Sequence, residues 1–153
     1  MPPPRTSGRN AFGALLGRTY RQWRRAADLR LQSCNLTEAT WLPLLRIARA
    51  QAPPRQKDLA AAMFVDGSAV VRLLDNLEEA GLIQRKEGET DRRAKTIHLT
   101  PRGRAIADKV ETVARRVRTD ALAGLSDKDI ETTVRVLQHV CHALERDLHT
   151  EAA

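Results

Sequence analysis

The sequence predicts a mainly α fold (α+β) with one small sheet, and three observations carry the prediction. Of the 153 residues, 42% are hydrophobic but only 3% aromatic, which suits Ala-, Leu- and Val-rich helix packing better than a sheet sandwich. Two helical patterns, 56–63 and 66–80, are parted only by Phe64-Val65. Beyond Gly81, two short extended runs, 82–86 and 95–99, bracket the polar, turn-rich segment 87–93. Two close-set helices followed by a hairpin describe a winged helix-turn-helix, here with N- and C-terminal helices that read as dimerisation elements.

Taken in order, residues 1–9 are Pro-, Arg- and Ser-rich and read as a disordered tail. Residues 10–153 read as a single domain, with a head at about 55–100 and dimerisation helices at about 10–33 and 101–149. The first helix, 10–31, carries Phe12, Leu15, Leu16, Thr19, Tyr20, Trp23, Ala26, Ala27 and Leu31 at the three-and-four spacing of one face. Arg18, Arg21, Arg24 and Arg25 lie on or beside that stripe. The stripe is too long to cover the head alone, so part of it is expected to meet a second subunit. Thr37 is a candidate N-cap for the next helix, whose buried side is Trp41, Leu44, Leu45 and Ala48. Pro43 falls inside that helix, removes one backbone hydrogen bond and should bend the axis.

In the second head helix, Val70, Leu73, Leu74 and Leu77 form the core face, while Ser68, Arg72, Asn76 and Glu79 recur on another. After the hairpin, Thr100-Pro101 is an N-cap followed by proline at the first helical position. The helix it opens carries Ile106, Val110, Val113 and Val117. Gly124 breaks that helix, and Ser126 caps a last one with Ile130, Val134, Leu137, Cys141, Leu144 and Leu148 in a heptad-like seam. Apolar seams at both ends of the chain predict a homodimer.

No run of about 18 apolar residues exists, and residues 1–5 lack the apolar stretch of a signal peptide. Two cysteines make no disulfide framework, so the expectation is a cytoplasmic protein with reduced thiols and no membrane partner. The net charge of +7 favours a polyanion. That charge is not concentrated in the head, where residues 55–104 hold ten basic and eight acidic side chains. A few placed arginines must therefore carry any nucleic-acid contact.

At Leu74-Asp75-Asn76-Leu77-Glu78-Glu79-Ala80-Gly81-Leu82-Ile83, then Asp91-Arg92-Arg93-Ala94-Lys95, then Leu99-Thr100-Pro101, the sequence resembles the MarR family of regulators, within it the SlyA-like branch. A looser likeness extends from about residue 15 to 148. The resemblance implies a transcription regulator that binds a double-stranded DNA operator as a homodimer. The exposed face of the 66–80 helix, with Ser68, Ala69, Arg72 and Asn76, is the candidate for the major groove. Ser68 and Ala69 lie near its N-terminus, and Arg72 one turn on could reach guanine or phosphate. The resemblance also makes Asp91 the residue that orients the wing and Arg92 the group inserted in the minor groove, with Arg93 on phosphate or groove. The competing readings are a solvated helix face and an ordinary charged turn.

Related proteins bind aromatic carboxylates at the junction between dimer helices and head. By position Arg21, Trp41 and Arg72 match lining residues there, with Trp23 and Leu45 beside them. A cation and an aromatic wall suit a small aromatic carboxylate or phenolic ligand. The alternative is that the tryptophans are core and the arginines meet DNA or solvent. Cys34 and Cys141 read as inert packing. His142, Glu145 and His149 share a face, but two-turn spacing between the histidines is poor for chelation, so no metal and no cofactor is expected. No phosphate loop or His-Glu-x-x-His pair is present, and the chain reads as no enzyme. The rival function is a winged-helix protein-interaction module without DNA binding.

Overall fold

The computed structural model describes residues 6–88 and 94–151. Among these residues the order is α1 (Thr6–Gln32), α2 (Glu38–Arg49), α3 (Gln56–Met63), α4 (Gly67–Glu79), β1 (Ile83–Glu87), β2 (Lys95–Leu99), α5 (Pro101–Ala121) and α6 (Asp127–Glu151). The chain divides into two compact units, Met1–Val117 and Arg118–Ala153. The expected tail is also shorter. α1 begins at Thr6, four residues before the expected Asn10. The last proline upstream is Pro4, so every residue of α1 has the backbone N–H a helix needs.

The first unit holds two cores. Leu44, Ile47, Leu59, Ala60, Val70, Leu74, Leu77, Leu82, Ile83, Ile97 and Ala107 form the core of the head. Ala27, Leu31, Leu36, Trp41, Leu45, Val110 and Val117 form the other, where α1, α2 and α5 meet. The helical period explains the division, because Trp41 and Leu45 stand one turn apart on one side of α2 and Leu44 and Ile47 on another. Pro43 lies inside α2, as expected, and is also buried.

β1 and β2 pair antiparallel, with Ile83 opposite Leu99 and Arg85 opposite Ile97. A bridge from Arg55 to Thr96, and an Ile97 N–H donated to the Pro54 carbonyl at 2.9 Å, extend the sheet to the segment before α3. The expected cap at Thr100 is present: its hydroxyl accepts from the Gly103 N–H at 3.0 Å and donates to the Gly81 carbonyl at 2.7 Å. Gly103 allows close approach here, since a Cβ would lie 1.9 Å from the Leu82 carbonyl oxygen. The wing is thereby tied to the start of α5.

Helix ends follow a repeated device. α1, α3, α4 and α5 are each followed by a left-handed residue: Asn35 (φ 55°), Phe64 (φ 55°), Gly81 (φ 72°) and Gly124 (φ 81°). After α3, α4 and α1, the next N–H returns to a carbonyl five residues back, as Val65 does to Ala60 at 3.1 Å and Leu82 to Leu77 at 2.9 Å. Glycine and asparagine tolerate this conformation, whereas phenylalanine gives up about 1–2 kcal/mol in it.

In the second unit, Ser126 caps α6 by donating to the Asp129 carboxylate at 2.6 Å and accepting from the Asp129 N–H at 3.2 Å. Along its apolar seam Ile130 and Leu137 are half-buried, and Val134 and Leu144 are 47% and 56% exposed. Cys34 and Cys141 are both exposed, against the expectation of packed thiols. Cys34 falls in the turn after α1, and Cys141 at the surface of α6. No helix among the described residues is long and apolar enough to cross a membrane.

Candidate nucleic-acid interface

α4 has one strongly apolar side and one open polar side. Val70, Leu74 and Leu77 are buried and Leu73 half-buried, while Ser68, Ala69, Arg72, Asn76 and Glu79 are exposed. The helix starts at Asp66, whose carboxylate accepts from the Ala69 N–H at 2.7 Å and from the Ser68 hydroxyl at 2.7 Å. Those bonds, the Ala69 amide first, hold the Asp66 carboxyl below its ordinary value. The same bonds fix the Ser68 hydroxyl, leaving its oxygen able to accept and its hydrogen already committed. Arg72 and Asn76 present free-standing side chains one and two turns further on.

Sequence reasoning missed the residue that joins this helix to the wing. Arg85, on β1, is only 18% exposed and reaches back to α4. Its Nε donates to Glu78 at 3.0 Å, its terminal nitrogen pairs with Asp75, and its backbone N–H donates to Glu78 Oε1 at 3.0 Å. The backbone bond and the guanidinium hold the Glu78 carboxyl below its ordinary value. Asp75 and Glu78 hold the Arg85 guanidinium above its own. Arg85 therefore links α4 to the hairpin through both of these carboxylates. Its signal was available only as an acidic pair at i, i+3 on α4, which reads equally as a solvated face.

Asp91, Arg92 and Arg93, the wing-tip candidates, lie outside the described residues. The hairpin that carries them is defined up to Gly88, whose N–H donates to the Ala94 carbonyl at 3.0 Å.

The ligand candidates divide. Trp41 and Leu45 are buried in the second core, at 4% and 5% exposure, with the Trp41 indole N–H donating to Asp28 at 3.4 Å. Trp23 is 36% exposed, and Arg21 and Arg72 are at the surface. The Arg21 guanidinium lies back along α1, over Gly17. Arg24, one turn from the Asp28 partner of Trp41, is the cation at the α1–α2 junction. It pairs with Glu38, donates to the Tyr20 hydroxyl at 3.1 Å and sits 5.3 Å from that ring's centroid.

A helix pair with an exposed polar recognition face, locked to an antiparallel hairpin, defines a winged helix-turn-helix of the DNA-binding class. A MarR family model matches residues 36–95. The transcriptional regulator PA3341 is 40% identical, with a TM-score of 0.84 over 88% of this chain and 98% of its own. CouR from Rhodococcus jostii RHA1, solved with p-coumaroyl-CoA, is 28% identical, with a TM-score of 0.75 over 84% of this chain and 90% of that one. S. aureus MepR, solved in complex with DNA, is 25% identical, with a TM-score of 0.75 over 86% and 97%. The chain belongs to the MarR family. It is a transcription regulator, not an enzyme.

Proposed function

We propose that the protein binds a pseudo-palindromic duplex operator as a cytoplasmic homodimer, as a repressor of the SlyA-like kind released by a small aromatic anion. α4 enters the major groove with Ser68, Ala69, Arg72 and Asn76, and Arg92 of the wing enters the adjacent minor groove, oriented by Asp91 and accompanied by Arg93. The observation that carries this is the open polar face of α4 beside a hairpin clamped to it through Arg85. That DNA is bound by the similar MepR supports it. The dimer reading rests on uncovered apolar side chains along α1, including Phe12, Leu15, Leu16 and Tyr20, and along α6. Two-fold symmetry would set the recognition helices about 34–36 Å apart.

The ligand reading rests on Trp41 and Leu45 in the second core, with Trp23, Arg21 and Arg72 nearer the surface, and Arg24 at the α1–α2 junction adds a cation whose Nε is buried without a hydrogen-bond partner. A ligand there acts by favouring one spacing of the two heads over another. CouR, solved with p-coumaroyl-CoA, is a similar protein that holds a ligand.

The test is duplex binding by Arg92→Ala, Asp91→Ala and Arg72→Ala. Arg92→Ala and Arg72→Ala should each cost about 1–3 kcal/mol of specific binding. Asp91→Ala should also weaken binding although it removes a negative charge, because Arg92 loses its orientation. A folded Arg92→Ala dimer that binds as tightly as the parent would favour a protein-interaction role for the wing.

A further inference from the structure

Phe64 is the one left-handed residue among the described helix ends that is neither glycine nor asparagine, and it is 92% exposed. Two unfavourable features coincide there. The backbone conformation suits glycine, and the ring is almost wholly exposed. Gly81 ends the next helix by the same pattern of returning N–H bonds without either cost. A strained residue that gains nothing within the fold points to a contact outside it.

The position says which contact. Phe64 lies two residues before Asp66, the N-cap of α4, and four before Ser68. Four residues span at most about 14 Å, close to the roughly 12 Å width of a major groove. A duplex that receives the N-terminal end of α4 therefore comes within reach of the ring. The apolar group that a major groove offers is the thymine C5 methyl. We infer that Phe64 is a further specificity-determining residue, whose ring packs against a thymine methyl at the edge of each half-site. This rests on the DNA reading of α4 proposed above.

The test uses the full-length chain and a duplex that it selects from a random-sequence library. Each thymine is replaced in turn by uracil, which keeps the hydrogen-bonding groups and deletes only the methyl. Wild type should lose about fourfold in affinity at one thymine per half-site, the worth of one buried methyl. Phe64→Gly and Phe64→Asn should bind more weakly, show no response to that uracil, and melt a few degrees higher because both residues suit the left-handed backbone. Their salt dependence should match wild type, since no phosphate contact is lost. If wild type enriches no sequence, the DNA reading of α4 itself falls. If wild type selects a site but Phe64→Gly keeps the same uracil response, the inference fails and the DNA reading stands. A uracil response retained in Phe64→Asn but lost in Phe64→Gly would also overturn it, because loosening of the turn would then explain the glycine result.

Discussion

Replacing Arg85 by methionine removes the guanidinium but keeps an unbranched apolar side chain of similar reach over the α4–β1 contact. Two ion pairs disappear, to Glu78 at 3.0 Å and to Asp75, whose side chains are 41% and 56% exposed. Exposed pairs contribute roughly 0.2–1 kcal/mol each, and partners this open to water belong in the lower half of that range. The expected loss is about 1 kcal/mol for both together, read as a lower urea midpoint at constant slope. Glu78→Gln removes one of the charges yet keeps an oxygen that can accept the Arg85 backbone N–H. A double-mutant cycle between Arg85→Met and Glu78→Gln should therefore isolate about 0.5 kcal/mol of coupling, shrinking as salt is raised. A second readout separates clamp from charge. Glu78→Gln makes the head more positive, so Coulomb attraction alone predicts tighter duplex binding. Loss of the helix–wing lock predicts weaker binding. A coupling energy of zero at low salt, or tighter binding by Glu78→Gln, would show that the three side chains are merely neighbours.

Three further outcomes are expected. Gly103→Ala forces a methyl to within 1.9 Å of the Leu82 carbonyl oxygen and should cost about 1–3 kcal/mol, so a urea midpoint equal to wild type would show that α5 can simply slide. The Asp66 and Glu78 carboxyls are both held below their ordinary values of 3.8 and 4.5. Because a depressed carboxyl stabilises the fold above its unfolded value, the melting temperature should hold steady at neutral pH and fall as the pH drops below 4.5 and through the lower folded values. Asp66→Asn, which still caps, should fall less steeply; an identical acid profile would exclude the cap. Light scattering at micromolar concentration should give a dimer and Leu15→Glu a monomer, since Leu15 is 52% exposed on the apolar stripe of α1; a monomeric wild type would refute the subunit contact.

What was legible in the sequence is what local chemistry decides. Thr100-Pro101 and Ser126 name their helices because caps act within three residues. The core face of α4 follows from the spacing of Val70, Leu74 and Leu77, since burial and helical period coincide. Arg85 was not legible, because its partners lie seven and ten residues away on another element and a basic residue in an extended run resembles any solvent-facing one. Arg21 and Arg24 differ by less than one turn of the same helix. Only the packing of α2 decides that Arg24 turns to the junction and Arg21 to the surface. Phe64 ran against propensity, and no local rule places a phenylalanine at a left-handed helix end.

The division of α2 between two cores bears on how a signal would reach the head. Trp41 and Leu45 are packed with α1 and α5, and Leu44 and Ile47 with the head. Arg49, at the end of the same helix, holds Glu111 of α5 through two hydrogen bonds of 2.8 and 3.0 Å. A close-packed interior does not absorb the displacement of a side chain as large as Trp41 without moving its neighbours. Pro43 is buried near the middle of the helix and donates no backbone hydrogen bond there. Trp41 and Leu44 are three residues apart on this one short helix, so the packing of one bears on the packing of the other. Leu44 and Ile47 in turn share the head's core with Leu74 and Leu77, the buried face of α4.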